Sequence, residues 1–123
     1  MRAATILFVE DEPLIALFVQ SALEGCGHRV LCAEGCEEAL SLCRQQAPDL
    51  VLLNFRQAGG PDGASFACIL HRQFRLPVLL VTGARSQDLP PASCFDTGCR
   101  VLYKPFTPRQ LEHCVGRALQ EMK

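Results

Sequence analysis

Apolar residues come in two rhythms along this chain. Some are consecutive, and others recur every three or four positions. Thr5-Ile6-Leu7-Phe8-Val9, Val51-Leu52-Leu53 within Pro48–Asn54, and Val78-Leu79-Leu80-Val81 before Thr82 are unbroken apolar runs of strand length. Runs of that kind suit strands buried on both faces. His28-Arg29-Val30-Leu31-Cys32-Ala33 and Arg100-Val101-Leu102-Tyr103 are shorter relatives of the same pattern. Between them, Leu14, Leu17, Phe18, Ala22 and Leu23 recur at helical spacing. So do Ala39, Leu40, Leu42 and Cys43, then Phe66, Ile69 and Leu70, then Leu111, Cys114, Val115, Ala118 and Leu119. Leu111, Val115 and Leu119 are more consistent with core than with interface.

Punctuation agrees with these boundaries. Pro13 suits a first helical turn, and Gly25-Cys26-Gly27 stops that helix. Gly35 opens the second helix, and Pro48 closes the connection that follows it. Asp62-Gly63 leads into the third helix, which ends near Phe74-Arg75, before Pro77. Thr107-Pro108-Arg109-Gln110 is a capping box with proline at the first helical position. Pro90-Pro91 limits any fourth helix to a short one at about residues 90–97. The chain therefore alternates strand and helix five times. This predicts an α/β, flavodoxin-like, doubly wound (βα)5 domain with a parallel sheet in the order 2-1-3-4-5. One domain spans residues 1–123, a length that supports a single core.

Composition narrows the function. The formal net charge is −1 with acids and bases interspersed, so the electrostatic footprint of a nucleic-acid binder is missing. No apolar run reaches membrane-spanning length, and the amino terminus does not read as a signal peptide. A cytoplasmic protein with no membrane partner is expected. The eight cysteines form no Cys-x-x-Cys pair, and most lie in apolar segments. They read as reduced thiols packed as small hydrophobes. Cys36 and Cys43 share a helical face, but no set has zinc-like spacing. Cys26 and Cys99 are the candidates for a reactive thiol.

Candidate chemistry gathers where strands end. Ligands of open α/β sheets bind outside the carboxyl ends of the strands. Glu10 and Asp11 follow the first strand, Asn54 ends the third, Thr82 ends the fourth, and Lys104 follows the fifth. Two carboxylates with an oxygen donor suit a hard divalent cation such as Mg²⁺. A hydroxyl and an ammonium suit a phosphoryl group. Each residue alone also has a bland reading as a solvated cap or a structural strand end; the set at these places carries the signal.

Across essentially its whole length the sequence resembles the receiver domain of two-component response regulators. Ile6–Pro13 is similar to the family's first strand and acidic pair, and Pro48–Leu53 to the run before its phospho-acceptor aspartate. Asp62-Gly63, Thr82 and Lys104-Pro105-Phe106 match its other signatures. The resemblance implies Glu10 and Asp11 as metal-side acids, the Arg56 backbone carbonyl as a further ligand, and Thr82 and Lys104 as the phosphoryl-contacting switch pair. It implies a sensor histidine kinase, a phosphotransfer protein or a downstream signalling protein as partner. It also implies no enzymatic activity of the domain's own, and docking through the face from the fourth helix to the fifth.

The sequence departs from the family at the acceptor itself, which is Asn54. An amide forms no acyl phosphate, and the lost carboxylate weakens any Mg²⁺ site. Phe55 rather than glycine follows, so easy deamidation to aspartate is not expected. Gln57-Ala58 replaces the usual Met-Pro, and Val101 stands where the family often has its switch aromatic, with Tyr103 just before Lys104. Two readings share the phosphorelay setting: a pseudo-receiver working by protein–protein interaction, or an ordinary Mg²⁺-dependent receiver carrying an introduced Asp-to-Asn substitution at 54. A flavin-binding or phosphatase-like enzyme is a third alternative. The absence of a glycine-rich phosphate loop after the first strand, where Glu10-Asp11-Glu12 repel phosphate, weighs against it. A transcription factor would need a DNA-binding domain beyond Lys123.

Overall fold

The structure is a computed structural model that describes residues 3–54, 63–82 and 99–120; the side chains of 63–65, 67, 68, 82, 99 and 100 fall outside that description. Five strands are present: β1 (Thr5–Val9), β2 (Arg29–Ala33), β3 (Leu50–Asn54), β4 (Val78–Thr82) and β5 (Cys99–Tyr103). Every pairing is parallel, and the order is β2-β1-β3-β4-β5, as the alternation predicts. The described helices are α1 (Pro13–Glu24), α2 (Cys36–Gln46), α3 (Gly63–Phe74) and α4 (Pro108–Gln120). The short helix expected at about residues 90–97 lies outside the described residues, as do Arg56 and the Gln57-Ala58 loop.

Strand alternation sorts the apolar residues into two layers. Ile6, Phe8, Leu50, Leu52, Leu79, Val81 and Leu102 pack against Val19 and Leu23 of α1 and Leu111, Val115, Ala118 and Leu119 of α4. Leu7, Val9, Val51, Leu53, Val78 and Leu80 face the other way, onto Cys36, Ala39 and Cys43 of α2 and Phe66 and Leu70 of α3. Because successive side chains alternate, each continuous apolar run feeds both layers, which is why these strands show no polar interruption.

Helix ends follow their local chemistry. Pro13 occupies the first turn of α1, and Glu12 caps it in extended geometry with no side-chain bond. Beyond α1, the Cys26 and His28 amides both donate to the Leu23 carbonyl. Gly27 sits between them at φ +94°, a conformation that disfavours any residue with a Cβ. At α4 the capping box forms in both directions. The Gln110 amide donates to Thr107 Oγ1 at 3.1 Å, and the Thr107 amide donates to Gln110 Oε1 at 2.8 Å.

Helical spacing and burial part company on α1. Leu14, Leu17 and Phe18 share the helical spacing of α1, but they are not its core stripe; they are 76%, 59% and 44% exposed. Val19 and Leu23 are buried instead, with Ile15 and Ala22 packed beside them. The reason is compositional. From Pro13 to Gln20 the helix has no charged residue. Spacing alone therefore cannot distinguish its inner face from its outer one.

Candidate functional site at the carboxyl edge of the sheet

The sheet order reverses around β1 and β3, which are neighbours although β2 lies between them in sequence. The crevice at such a switch point is where α/β sheets bind ligands. Val9 is level with Leu53, so the next residues, Glu10 and Asn54, emerge side by side. Backbone pairing continues through this edge, because the Glu10 amide donates to the Ala33 carbonyl at 2.9 Å. Glu10 is buried, and Asn54 is half-buried.

The two side chains meet directly. Asn54 Nδ2 donates to Glu10 Oε1 at 2.8 Å. The other oxygen, Glu10 Oε2, accepts the backbone N–H of Glu12 at 3.1 Å. A buried carboxylate is costly unless its oxygens are hydrogen-bonded, and both oxygens here accept. Asp11 and Glu12 lie beside this pair and are exposed to solvent.

The other expected residues lie along the same edge. Asn54 is in register with Val81, and Thr82, one residue further along β4, pairs with Tyr103. The Thr82 side chain is outside the described residues. Lys104 follows Tyr103 directly, is half-buried, and joins Pro105 through a cis peptide. Val101 sits three residues before Lys104, level with Leu80 and packed among the side chains of the second layer. The structure thus joins Glu10 to Asn54, and places Thr82 and Lys104 at the ends of the two strands beyond them.

Charge and donor type decide what this edge can hold. For the Mg²⁺ that the family implies, the donor set fits poorly. Position 54 supplies an amide rather than a carboxylate, and that amide presents a hydrogen-bond donor to Glu10. A divalent cation therefore finds one negative charge fewer at the end of β3 than an aspartate would give it. Among the described residues, no three His, Cys, Asp or Glu side chains form a metal-sized group.

Two contacts near the site carry no signal readable from spacing. The rings of Phe18 and Phe106 lie 6.4 Å apart, centroid to centroid, tilted by 41°. This joins the outer face of α1 to the segment after Lys104. At the edge of the sheet, Val101, Tyr103, Pro105, Arg109 and His113 line a groove of about 620 Å³ between β5 and α4. It is the described part of the face expected to dock partners.

The thiols offer little reactivity. Cys26, Cys32, Cys36, Cys43 and Cys114 are free. Burial pushes the Cys26, Cys32, Cys36 and Cys43 thiols above their ordinary value, and Glu112 adds to the rise at Cys26. Reactive cysteines are the reverse, with thiolates favoured by positive surroundings. Cys26 is therefore not an activated thiol; the Cys99 side chain lies outside the described residues.

Comparison with known proteins agrees with the fold. The chain is 31% identical over 122 residues to the phyllosphere-induced regulator PhyR of Methylorubrum extorquens, covering 95% of this chain and 44% of that protein. It is 35% identical over 116 residues to the KDP operon transcriptional regulatory protein KdpE of Escherichia coli, covering 94% and 51%. It is also 33% identical to a segment of the sensor histidine kinase AruS of Pseudomonas aeruginosa, covering 94% of this chain and 12% of the kinase. The chain thus spans about half or less of these relatives. Among solved structures, a response regulator receiver protein from Sinorhizobium medicae superposes with a TM-score of 0.85 at 27% identity, over 99% of this chain and 98% of that one. The regulator PhyR from Brucella abortus superposes at 0.81 and 27% identity, over 97% and 49%. A model of the response regulator receiver domain matches residues 6–116. The chain belongs to the response regulator receiver domain family.

Proposed function

We propose that this domain serves two-component phosphorelay signalling by binding other proteins, and that it takes no phosphoryl group at position 54 as it stands. The observation that carries the reading is Asn54 itself, at the carboxyl end of β3, with its amide committed to Glu10. A neutral amide does not attack a phosphodonor, and it brings no charge to a metal. Glu10 and Asp11 are assigned as the remaining acids of a weakened Mg²⁺ site, with the Arg56 carbonyl. Thr82 and Lys104 are assigned as the pair that would contact a phosphoryl oxygen, and Val101 as the replacement for the moving aromatic. The domain has no catalytic residues, works in the cytoplasm and contacts neither nucleic acid nor membrane.

A protein–protein role is supported by surface chemistry. Leu14 and Leu17, exposed on α1, form an uncharged apolar row that Phe18 extends toward Phe106. Clustered apolar side chains of this kind mark contact surfaces. Candidate partners are a sensor histidine kinase or phosphotransfer protein, or a downstream signalling protein. Similarity to a segment of a kinase and to about half the length of two regulators is in keeping with that setting.

The test is the intact mass of this chain and of Asn54→Asp after treatment with acetyl phosphate and Mg²⁺. The expected result is one added phosphoryl group on the aspartate version and none on this chain. A stable, stoichiometric phosphoprotein from the unchanged chain would overturn the proposal. If the aspartate version reacts, the rest of the site is competent and Asn54 alone holds it off. That would favour an introduced or recent substitution.

A further inference from the structure

Glu10 does two jobs with one carboxylate. One oxygen accepts from Asn54, on β3, and the other accepts from the Glu12 backbone, directly before α1. A three-part connection therefore runs from the third strand, through Glu10, to the residue that caps α1. α1 is also the helix that carries the exposed row of Leu14, Leu17 and Phe18. The start of that row is fixed by the same carboxylate that lines the site.

We propose that Asn54 is an internal latch, which replaces a divalent cation as the partner of Glu10 and holds the β1–α1 turn in place without metal. This deepens the reading of an inactive acceptor, and rests on it for the position of the site. It adds that the amide has a positive task of its own. An aspartate at 54 would set two carboxylates within hydrogen-bonding distance, and like charges at that range repel unless a proton or a cation joins them. An amide removes the repulsion and supplies an N–H where a cation would have supplied charge. The neutral amide also leaves this edge one negative charge short, so a cation gains less here than it would beside an aspartate. With both Glu10 oxygens hydrogen-bonded, the turn does not need a cation to hold it.

The latch has a consequence for signalling. Here the turn is held in one arrangement, and the α1 face is presented constantly. The row on α1 then reports no phosphorylation state; it is a fixed docking surface.

Thermal melting of the full chain and of Asn54→Asp, at neutral pH with and without millimolar MgCl₂, tests this. The unchanged chain should melt at the same temperature in both conditions. Asn54→Asp should melt about 3–8 °C lower without metal and regain most of the loss with MgCl₂. An amide-exchange measurement supplies a readout that does not depend on melting: the Glu12 N–H of the unchanged chain should be protected whether or not MgCl₂ is present. A rise in melting temperature of the unchanged chain with MgCl₂ would overturn the latch. So would an aspartate variant that is equally stable without metal, or a Glu12 N–H that exchanges freely until MgCl₂ is added. These failures are separable from failure of the proposed function. A chain that binds Mg²⁺ yet gains no phosphoryl mass loses the latch alone. A chain that gains phosphoryl mass loses the inactive acceptor.

Discussion

Glu10 and His28 are the two buried polar side chains among the described residues, and they lie at opposite ends of the sheet. Glu10 follows β1 at the carboxyl edge. His28 precedes β2 at the amino edge, where its Nδ1 accepts the Ala4 N–H at 3.1 Å. Both obey the rule that a buried polar atom finds a partner, yet the partners differ in kind. His28, and likewise Asp49, whose Oδ2 accepts the Thr5 N–H at 2.9 Å, serve backbone groups at the start of β1. Glu10 pairs with another side chain, Asn54, at the place where strands end and ligands bind. The amino edge is maintenance of the fold. The carboxyl edge joins two replaceable side chains, and a change of residue there alters chemistry before it alters architecture.

That contrast holds only if the two ends share one rigid middle. Leu52 is fully buried in β3, between Val51 and the strand's carboxyl end, within the layer under α1 and α4. Leu52→Ala should cost about 2–5 kcal/mol in urea unfolding, the usual loss for a large cavity in a tight core. It should lower stability cooperatively, and no other single change discussed here is expected to cost more. A loss of only about 1 kcal/mol or less would mean that the sheet yields, and that the two edges cannot be treated as separate ends of one body.

The histidine sharpens the contrast through pH. Loss of solvation pushes His28 below its ordinary value of 6.5. Its Nδ1 accepts a hydrogen bond, so the folded state holds the neutral ring with its proton on Nε2. Above 6.5 both folded and unfolded histidines are neutral, and the contact contributes in full. As pH falls below 6.5 the unfolded chain takes up the proton first, so stability declines until the folded ring protonates too. The slope from this one group is at most about 1.4 kcal/mol per pH unit. His28→Ala should cost about 1–3 kcal/mol at neutral pH, because it strands the buried Ala4 N–H. It should also flatten the decline in stability below 6.5. Unfolding curves of both proteins across that range are the check. An unchanged slope would remove His28 as the cause.

These residues also show how far sequence reaches. The runs at Ile6–Val9, Leu50–Leu53 and Val78–Val81 are legible because two covered faces demand continuous apolar strands. The order of the strands follows from the handedness of their connections. Asn54, Thr82 and Lys104 are legible as strand ends for the same reason, and the Thr107–Gln110 box because capping is local. The bond from Asn54 to Glu10 is not legible. It depends on the register that sets Val9 beside Leu53, and nothing along the chain states a register. His28 reads as the first residue of a strand; its role appears only when Ala4 comes alongside, 24 residues away. The outward face of α1 is hidden for another reason. A helix without charge from Pro13 to Gln20 looks equally suited to burial on every side.

That last misreading yields the smallest predicted effect and the most direct probe of the carboxyl edge. Leu14, Leu17 and Leu23 are the same residue type on one helix, with different surroundings. Leu23 is fully buried, whereas Leu14 and Leu17 are exposed. Leu23→Ala should cost about 2–5 kcal/mol. The double change Leu14→Gln with Leu17→Gln should stay within about 0.5 kcal/mol of the parent, because surface positions away from special features contribute little to folding. If the double change costs as much as Leu23→Ala, the row is core and the docking face is lost. If it leaves stability untouched, the apolar side chains there are not explained by folding. Leu14 and Leu17, kept in water beside the carboxyl edge, are then free to serve the contact surface proposed above.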